Sequence, residues 1–170
     1  MGVFSYQGIE NMWKFSGIVG LVLLSGTSGA RAECVQMLAC ENTHRPYALC
    51  AEGEQIRFTY GREGASNMVR LSRNVTLVDL MPWPGEGGSI WERVTLVDGE
   101  VEYVLWYDIT RDDAAKLTGG LKVYRDGEAK TSVECSADHF RFSGHPLPIR
   151  GLKEAAGQRW DADRLEWVRD

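Results

Sequence analysis

The stretch Ile90–Asp108, "IWERVTLVDGEVEYVLWYD", decides the fold. Two runs rich in β-branched and aromatic residues flank Asp98-Gly99. That dipeptide suits a type I′ hairpin turn, because both central residues take positive φ. With Asp98 and Gly99 as the loop, Val97 pairs with Glu100. Leu96 then faces Val101, Val94 faces Tyr103 and Ile90 faces Tyr107. This side is apolar, interrupted by Glu92 opposite Leu105. On the other side Thr95 faces Glu102, Arg93 faces Val104 and Trp91 faces Trp106. The alternation that buries Val94, Leu96 and Tyr103 thus predicts a cross-strand tryptophan pair on the more polar face.

Outward from this hairpin the same pattern repeats. "QIRFTY" puts Ile56, Phe58 and Tyr60 on one face. "NMVRLS", "VTLVDL", "LKVYR" and "KTSVEC" read as further strands, and Asp126-Gly127 marks a second hairpin. Short strands at close intervals predict an all-β fold, a small antiparallel barrel or sandwich over residues 33–150. "RDDAAKL" reads as one helical turn, with Thr110 and Asp113 in a capping-box arrangement. The tail, residues 151–170, reads as a short helix packed on the sheet, with Asp161 or Asp163 as N-cap.

Residues 1–32 read as a signal peptide. Lys14 precedes the apolar "FSGIVGLVLLSG", and Ala30-Arg31-Ala32 fits a small-x-small cleavage site. Met12 is an alternative start, since the leader from there is complete. The apolar run is shorter than the roughly 20 residues of a membrane span. Cleavage leaves 138 residues with 17 basic and 23 acidic side chains, enough for one core. No basic block is present, so a nucleic-acid face is excluded and no nucleic-acid partner is expected. Periplasmic or secreted localisation follows, without a membrane anchor once the leader is removed.

Cys34, Cys40, Cys50 and Cys135 all follow the leader. An even number in an exported chain predicts two disulfides. Two pairings compete: Cys40–Cys50 with Cys34–Cys135, or Cys34–Cys50 with Cys40–Cys135. The spacings Cys-x5-Cys and Cys-x9-Cys are not those of zinc fingers. His139 and His145, six apart in an extended segment, would span roughly 20 Å and not share an ion. No metal and no cofactor is expected. The carboxylate pairs Asp112–Asp113, Asp161–Asp163 and Glu92–Glu102 sit in no catalytic motif, and no catalytic residue is assigned.

The candidate recognition surface surrounds "PWPGEGGSIW", Pro82–Trp91. Its binding residues are Trp83, Glu86, Ser89 and Trp91, with Trp106 across the hairpin. Aromatics beside an acidic glycine turn suit a protein or glycan partner in the cell envelope. The chain is read as a monomeric, non-catalytic binding protein. The alternatives are a structural envelope protein whose tryptophans are all core, and a hydrolase.

The pieces "ALCAEG", "RFTYG", "VEYVLWY", "GGLKVYRDG" and "VEC" resemble small exported cysteine-containing β-proteins of proteobacteria, a group without assigned activity. The likeness runs from about Cys34 to Cys135 and implies compartment and β fold. Gly87-Gly88-Ser89 followed by Trp91 is similar to the inserted loop of periplasmic C-type lysozyme inhibitors. That resemblance implies a small disulfide-tied barrel acting as an inhibitor.

Overall fold

Ten strands run as an up-and-down meander that folds into two facing five-stranded antiparallel sheets. The computed structural model describes residues 33–41 and 44–169. The leader, its cleavage site and the alternative start at Met12 lie outside the described residues. The first sheet holds β1 (Val35–Cys40), β2 (Tyr47–Glu52), β3 (Gln55–Tyr60) and β4 (Val69–Asn74). The second holds β5 (Asp79–Met81), β6 (Ser89–Asp98), β7 (Val101–Thr110), β8 (Leu117–Arg125) and β9 (Glu128–Cys135). β10 (Phe140–Phe142) returns to pair with β1, giving the order β10-β1-β2-β3-β4 against β5-β6-β7-β8-β9. The sheets do not close into a barrel, so of the two expected forms the chain takes the sandwich-like one.

The core follows the period-two pattern. Ile56, Phe58 and Tyr60 point inward from β3, as their alternation predicts, and meet Val94, Leu96, Tyr103 and Leu105 of the opposite sheet. The rings of Phe58 and Tyr103 lie 5.1 Å apart across the interface. Gly119 leaves room on the inner face of β8 for the Phe140 ring; a Cβ there would lie 2.1 Å from its Cζ.

The disulfides are Cys34–Cys50 and Cys40–Cys135. Side-chain direction excludes the alternative. Cys40 stands opposite Tyr47 and points inward, whereas β2 buries Tyr47, Leu49 and Ala51 and so turns Cys50 outward. Cys40 therefore reaches β9 of the other sheet, and Cys50 reaches Cys34 on the outside.

Several sequence expectations are corrected. The central hairpin has Asp98 opposite Val101 and Leu96 opposite Tyr103, two residues away from the expected register. Its loop is Gly99-Glu100. Gly99 has φ +61° and Glu100 has no positive φ, the type II′ pattern. Asp126 and Gly127, by contrast, have φ of +52° and +74°, a type I′ pair. A shift of two preserves the faces, so the core forecast holds while the pairs change. Trp91 stands opposite Asp108 and Trp106 opposite Arg93, not each other, and Glu92 faces Tyr107. "VTL" at the start of the expected strand Val75–Leu80 is a 3-10 turn capped by Asn74, whose side chain accepts from the Thr76 N–H.

"RDDAAKL" forms a turn rather than a helix, with Asp112 Oδ1 accepting from the Ala114 and Ala115 N–H groups. The tail is the largest departure. The helix, α1 (Pro148–Ala155), precedes the expected one and crosses the expected boundary at 150. Residues 158–169 form a hairpin of β11 (Gln158–Asp161) and β12 (Glu166–Arg169). Asp161 Oδ1 does accept from the Asp163 and Arg164 N–H groups, as a cap would, but the turn it closes joins two strands. Trp160 and Trp167 pair across this hairpin, and Trp167 donates its indole N–H to the Leu80 carbonyl, 2.6 Å away.

Candidate functional site

The alternation that fills the core from the sheet β5–β9 sets a second row of side chains on its outer face. Successive residues of one face are two apart, and register fixes their neighbours. Trp91, Arg93 and Thr95 of β6 stand opposite Asp108, Trp106 and Val104 of β7, which stand opposite Thr118, Gly120 and Lys122 of β8. Asp79 and Met81 of β5 flank Thr95 and Arg93. Together with Ser89 and Tyr124 these residues, Gly120 excepted, line an open groove of about 750 Å³. That size falls within the usual range of small-molecule sites.

Its floor depends on one glycine. The Trp106 indole lies over Gly120, where an added Cβ would meet Trp106 Nε1 at 2.9 Å and the Val133 carbonyl oxygen at 2.5 Å. Any larger residue would displace the ring or the neighbouring strand. Trp91 and Trp106 are both half-buried. The Arg93 guanidinium stands over the Trp91 ring, 4.9 Å from its centre. Ser89 Oγ donates to Asp108 Oδ2 at 2.7 Å, so the serine hydroxyl is engaged within the sheet. Among the described residues none beyond Tyr124 lines the groove.

The remaining predicted binding residues lie elsewhere. Trp83 and Glu86 are not groove residues. Trp83 donates its indole N–H to the Glu86 carbonyl at 2.8 Å, while the Glu86 side chain is exposed. Arg111 stacks on Trp83 at 5.4 Å and donates from its side chain to the Gly87 carbonyl and from its backbone to Gly88. The glycine turn is therefore held by Trp83 and Arg111 rather than by its own residues. The structure joins Ser89, Trp91 and Trp106 in one site and sets Trp83 and Glu86 in another.

Beneath Trp83 lies a polar cluster missed in the sequence reading. Glu92 is fully buried. Its Oε2 accepts from the Tyr107 hydroxyl and from the Leu147 backbone N–H, each at 2.8 Å. His145 Nδ1 lies 2.6 Å from the Tyr107 oxygen and 3.8 Å from Glu92 Oε2. Since Tyr107 has one proton and gives it to Glu92, the short contact is met by the His145 tautomer that carries hydrogen on Nδ1. Burial, and then the adjacent carboxylate, push the Tyr107 phenol well above its usual range. Glu92 Oε1 has no hydrogen-bond partner among the described residues. The His145 ring meets Trp83 edge-on at 5.9 Å. This chain fixes the segment leading into α1.

A buried amine lies at the edge of the same sheet. Lys153, on α1, is 1% exposed and donates to the Val75 carbonyl at 3.1 Å and to Gln158 Oε1 at 3.2 Å. Burial lowers it to about 8, with Asp79 opposing the change. Among the described residues no group of three or more His, Cys, Asp or Glu side chains is arranged to hold a metal ion.

The signal for the buried acid was available: Glu92 is the one charge in the inward row Ile90, Glu92, Val94, Leu96. Its partners His145 and Leu147 are more than fifty residues away and are set by the fold. Compared with family models, with curated proteins and with solved structures, the chain matches none.

Proposed function

We propose that the protein is exported, loses residues 1–32, and acts without catalysis as a binding protein of the periplasm or cell surroundings. The outer groove of the sheet β5–β9 is its recognition surface. The observation that carries this reading is the state of the groove's charges. Asp79, Arg93, Asp108 and Lys122 line one groove, yet none forms an ion pair with another described residue. Two half-buried indoles lie among them. Aromatic anchors set among a few polar side chains are the usual composition of a recognition surface.

Export is supported by the leader-like start and by disulfides that engage all four cysteines. Among the described residues no helix is long and apolar enough to cross a membrane. Amino-terminal sequencing of the secreted product tests this half, with Glu33 as the expected first residue.

Site-specific photo-crosslinking in the producing cell tests the other half. A photoreactive residue replacing Trp91 should capture an envelope component; one replacing Ser72, exposed on the opposite sheet, should not. Capture at neither position, or equally at both, contradicts the proposal.

A further inference from the structure

The groove's chemistry narrows its ligand, granted the reading of it as the binding site. Its charges balance: Asp79 and Asp108 accept hydrogen bonds, and Arg93 and Lys122 donate them. An anionic ligand would pair with Arg93 and Lys122 and be opposed by the two aspartates. A cationic ligand would meet the reverse. A wholly apolar ligand would bury charged groups without partners, which is strongly unfavourable. A neutral ligand rich in hydroxyl groups satisfies all four, because each hydroxyl both donates and accepts.

The floor adds a second constraint. β7 and β8 are paired along both sides, so the floor of the groove is a closed ladder, and the sheet's free edge lies at its rim, at β5. A ligand lying across the floor is therefore recognised by side chains rather than by strand addition. Those side chains include three flat rings, Trp91, Trp106 and Tyr124. Aromatic faces carry negative charge density and attract the weakly positive C–H groups of a saturated ring. A pyranose offers such C–H faces and carries hydroxyl groups around its rim.

We propose that the groove binds a neutral oligosaccharide, with sugar rings stacked on Trp91 and Trp106 and hydroxyl groups bonded to Asp79, Arg93, Asp108 and Lys122. A free oligosaccharide and the glycan of a larger envelope polymer share this chemistry.

The test is to probe the disulfide-bonded protein on a glycan array and a peptide array in parallel. Hits are then titrated by calorimetry against Trp91→Ala, Trp106→Phe and Thr59→Ala. Thr59 lies on the outer face of the other sheet, and circular dichroism checks that each variant is folded. Neutral glycans should bind. Trp91→Ala should weaken them about tenfold or more, as loss of an aromatic anchor does. Trp106→Phe should weaken them less, and Thr59→Ala should change nothing. Absence of glycan binding overturns the ligand class. A peptide that binds and is lost in Trp91→Ala overturns the sugar but keeps the groove. Binding of any probe that ignores Trp91→Ala overturns the groove itself.

Discussion

The two faces of the sheet β5–β9 use the same strands for opposite purposes. The inner face carries Leu80, Val94, Leu96, Tyr103, Leu105 and Leu121, all buried, and one acid, Glu92, whose Oε2 is bonded to Tyr107 and Leu147. The groove on the outer face is lined by two acids, two cations and two tryptophans, and none of those four charges forms an ion pair with a described residue. Trp91, Glu92 and Arg93 are consecutive, yet a single peptide step moves from one regime to the other. Burial decides how much a side chain must be satisfied by the protein itself. The inner acid is therefore held by hydrogen bonds within the protein, whereas the four charges of the outer groove form no ion pair with a described residue.

This contrast breaks most visibly at the disulfides, which repeat it. Cys40–Cys135 lies between the sheets and closes a separation of 95 residues, whereas Cys34–Cys50 lies outside the first sheet and closes 16. Replacing both members of the inner bridge with alanine should lower unfolding free energy by about 4–5 kcal/mol on the chain-entropy model, and the outer bridge by about 3 kcal/mol. Urea unfolding of the two double variants measures the difference, and equal losses would mean that loop length does not set the stabilisation.

Glu92→Ala should lower stability by about 3 kcal/mol, because the Tyr107 hydroxyl and Leu147 N–H lose a buried charged acceptor. Glu92→Gln keeps an acceptor and should lose less. Denaturant midpoints of the two variants test whether hydrogen bonding, rather than side-chain volume, holds the cluster.

The adjacent glycines of β8 set the two faces directly against each other. Gly119→Ala strikes the Phe140 ring and Gly120→Ala strikes Trp106 and the Val133 carbonyl. Each should cost about 1–3 kcal/mol of stability through overpacking. Only Gly120→Ala should shift the Trp106 indole N–H resonance strongly. An equal shift in both variants would dissolve the distinction between the faces.

Lys153 adds a pH dependence at the sheet's edge. Its amine is held at about 8 in the fold, below the ordinary 10.5. Between these values the unfolded chain binds more protons than the folded one, so stability rises with pH across that window. The gain should be about 1–3 kcal/mol from pH 8 to 10.5. It should vanish in Lys153→Met, as followed by urea midpoints at each pH. The smallest effect is expected on the outer face, where Trp91→Ala should change stability by less than about 1 kcal/mol.

The sequence revealed faces more readily than partners. The inward set Ile56, Phe58, Val94, Leu96 and Tyr103 is legible because side chains alternate along a strand, and a register error of two leaves that parity intact. The same error displaced the Trp91–Trp106 pair, because opposition depends on turn type, and Asp98-Gly99 and Asp126-Gly127 adopt different turns despite identical residues. The tail misled for a related reason. Asp161 caps backbone N–H groups in either a helix or a turn, and the paired Trp160 and Trp167, with the Trp167 bond to Leu80, select the hairpin. The true helix did carry marks: Pro148 at its first turn and Gly157 at its end, with φ +77°. The groove itself was half legible. Ser89, Trp91 and Trp106 were found from one hairpin, whereas Asp79, Lys122 and Tyr124 join them only through strand pairing.

Acrylamide quenching of tryptophan fluorescence, comparing the native protein with the Trp91→Phe/Trp106→Phe double variant, tests most directly whether the outer face is open. The quenching constant should fall clearly in the double variant, since the groove holds two of the accessible indoles. An unchanged constant would mean that Trp91 and Trp106 are covered and that this face is not a surface for binding.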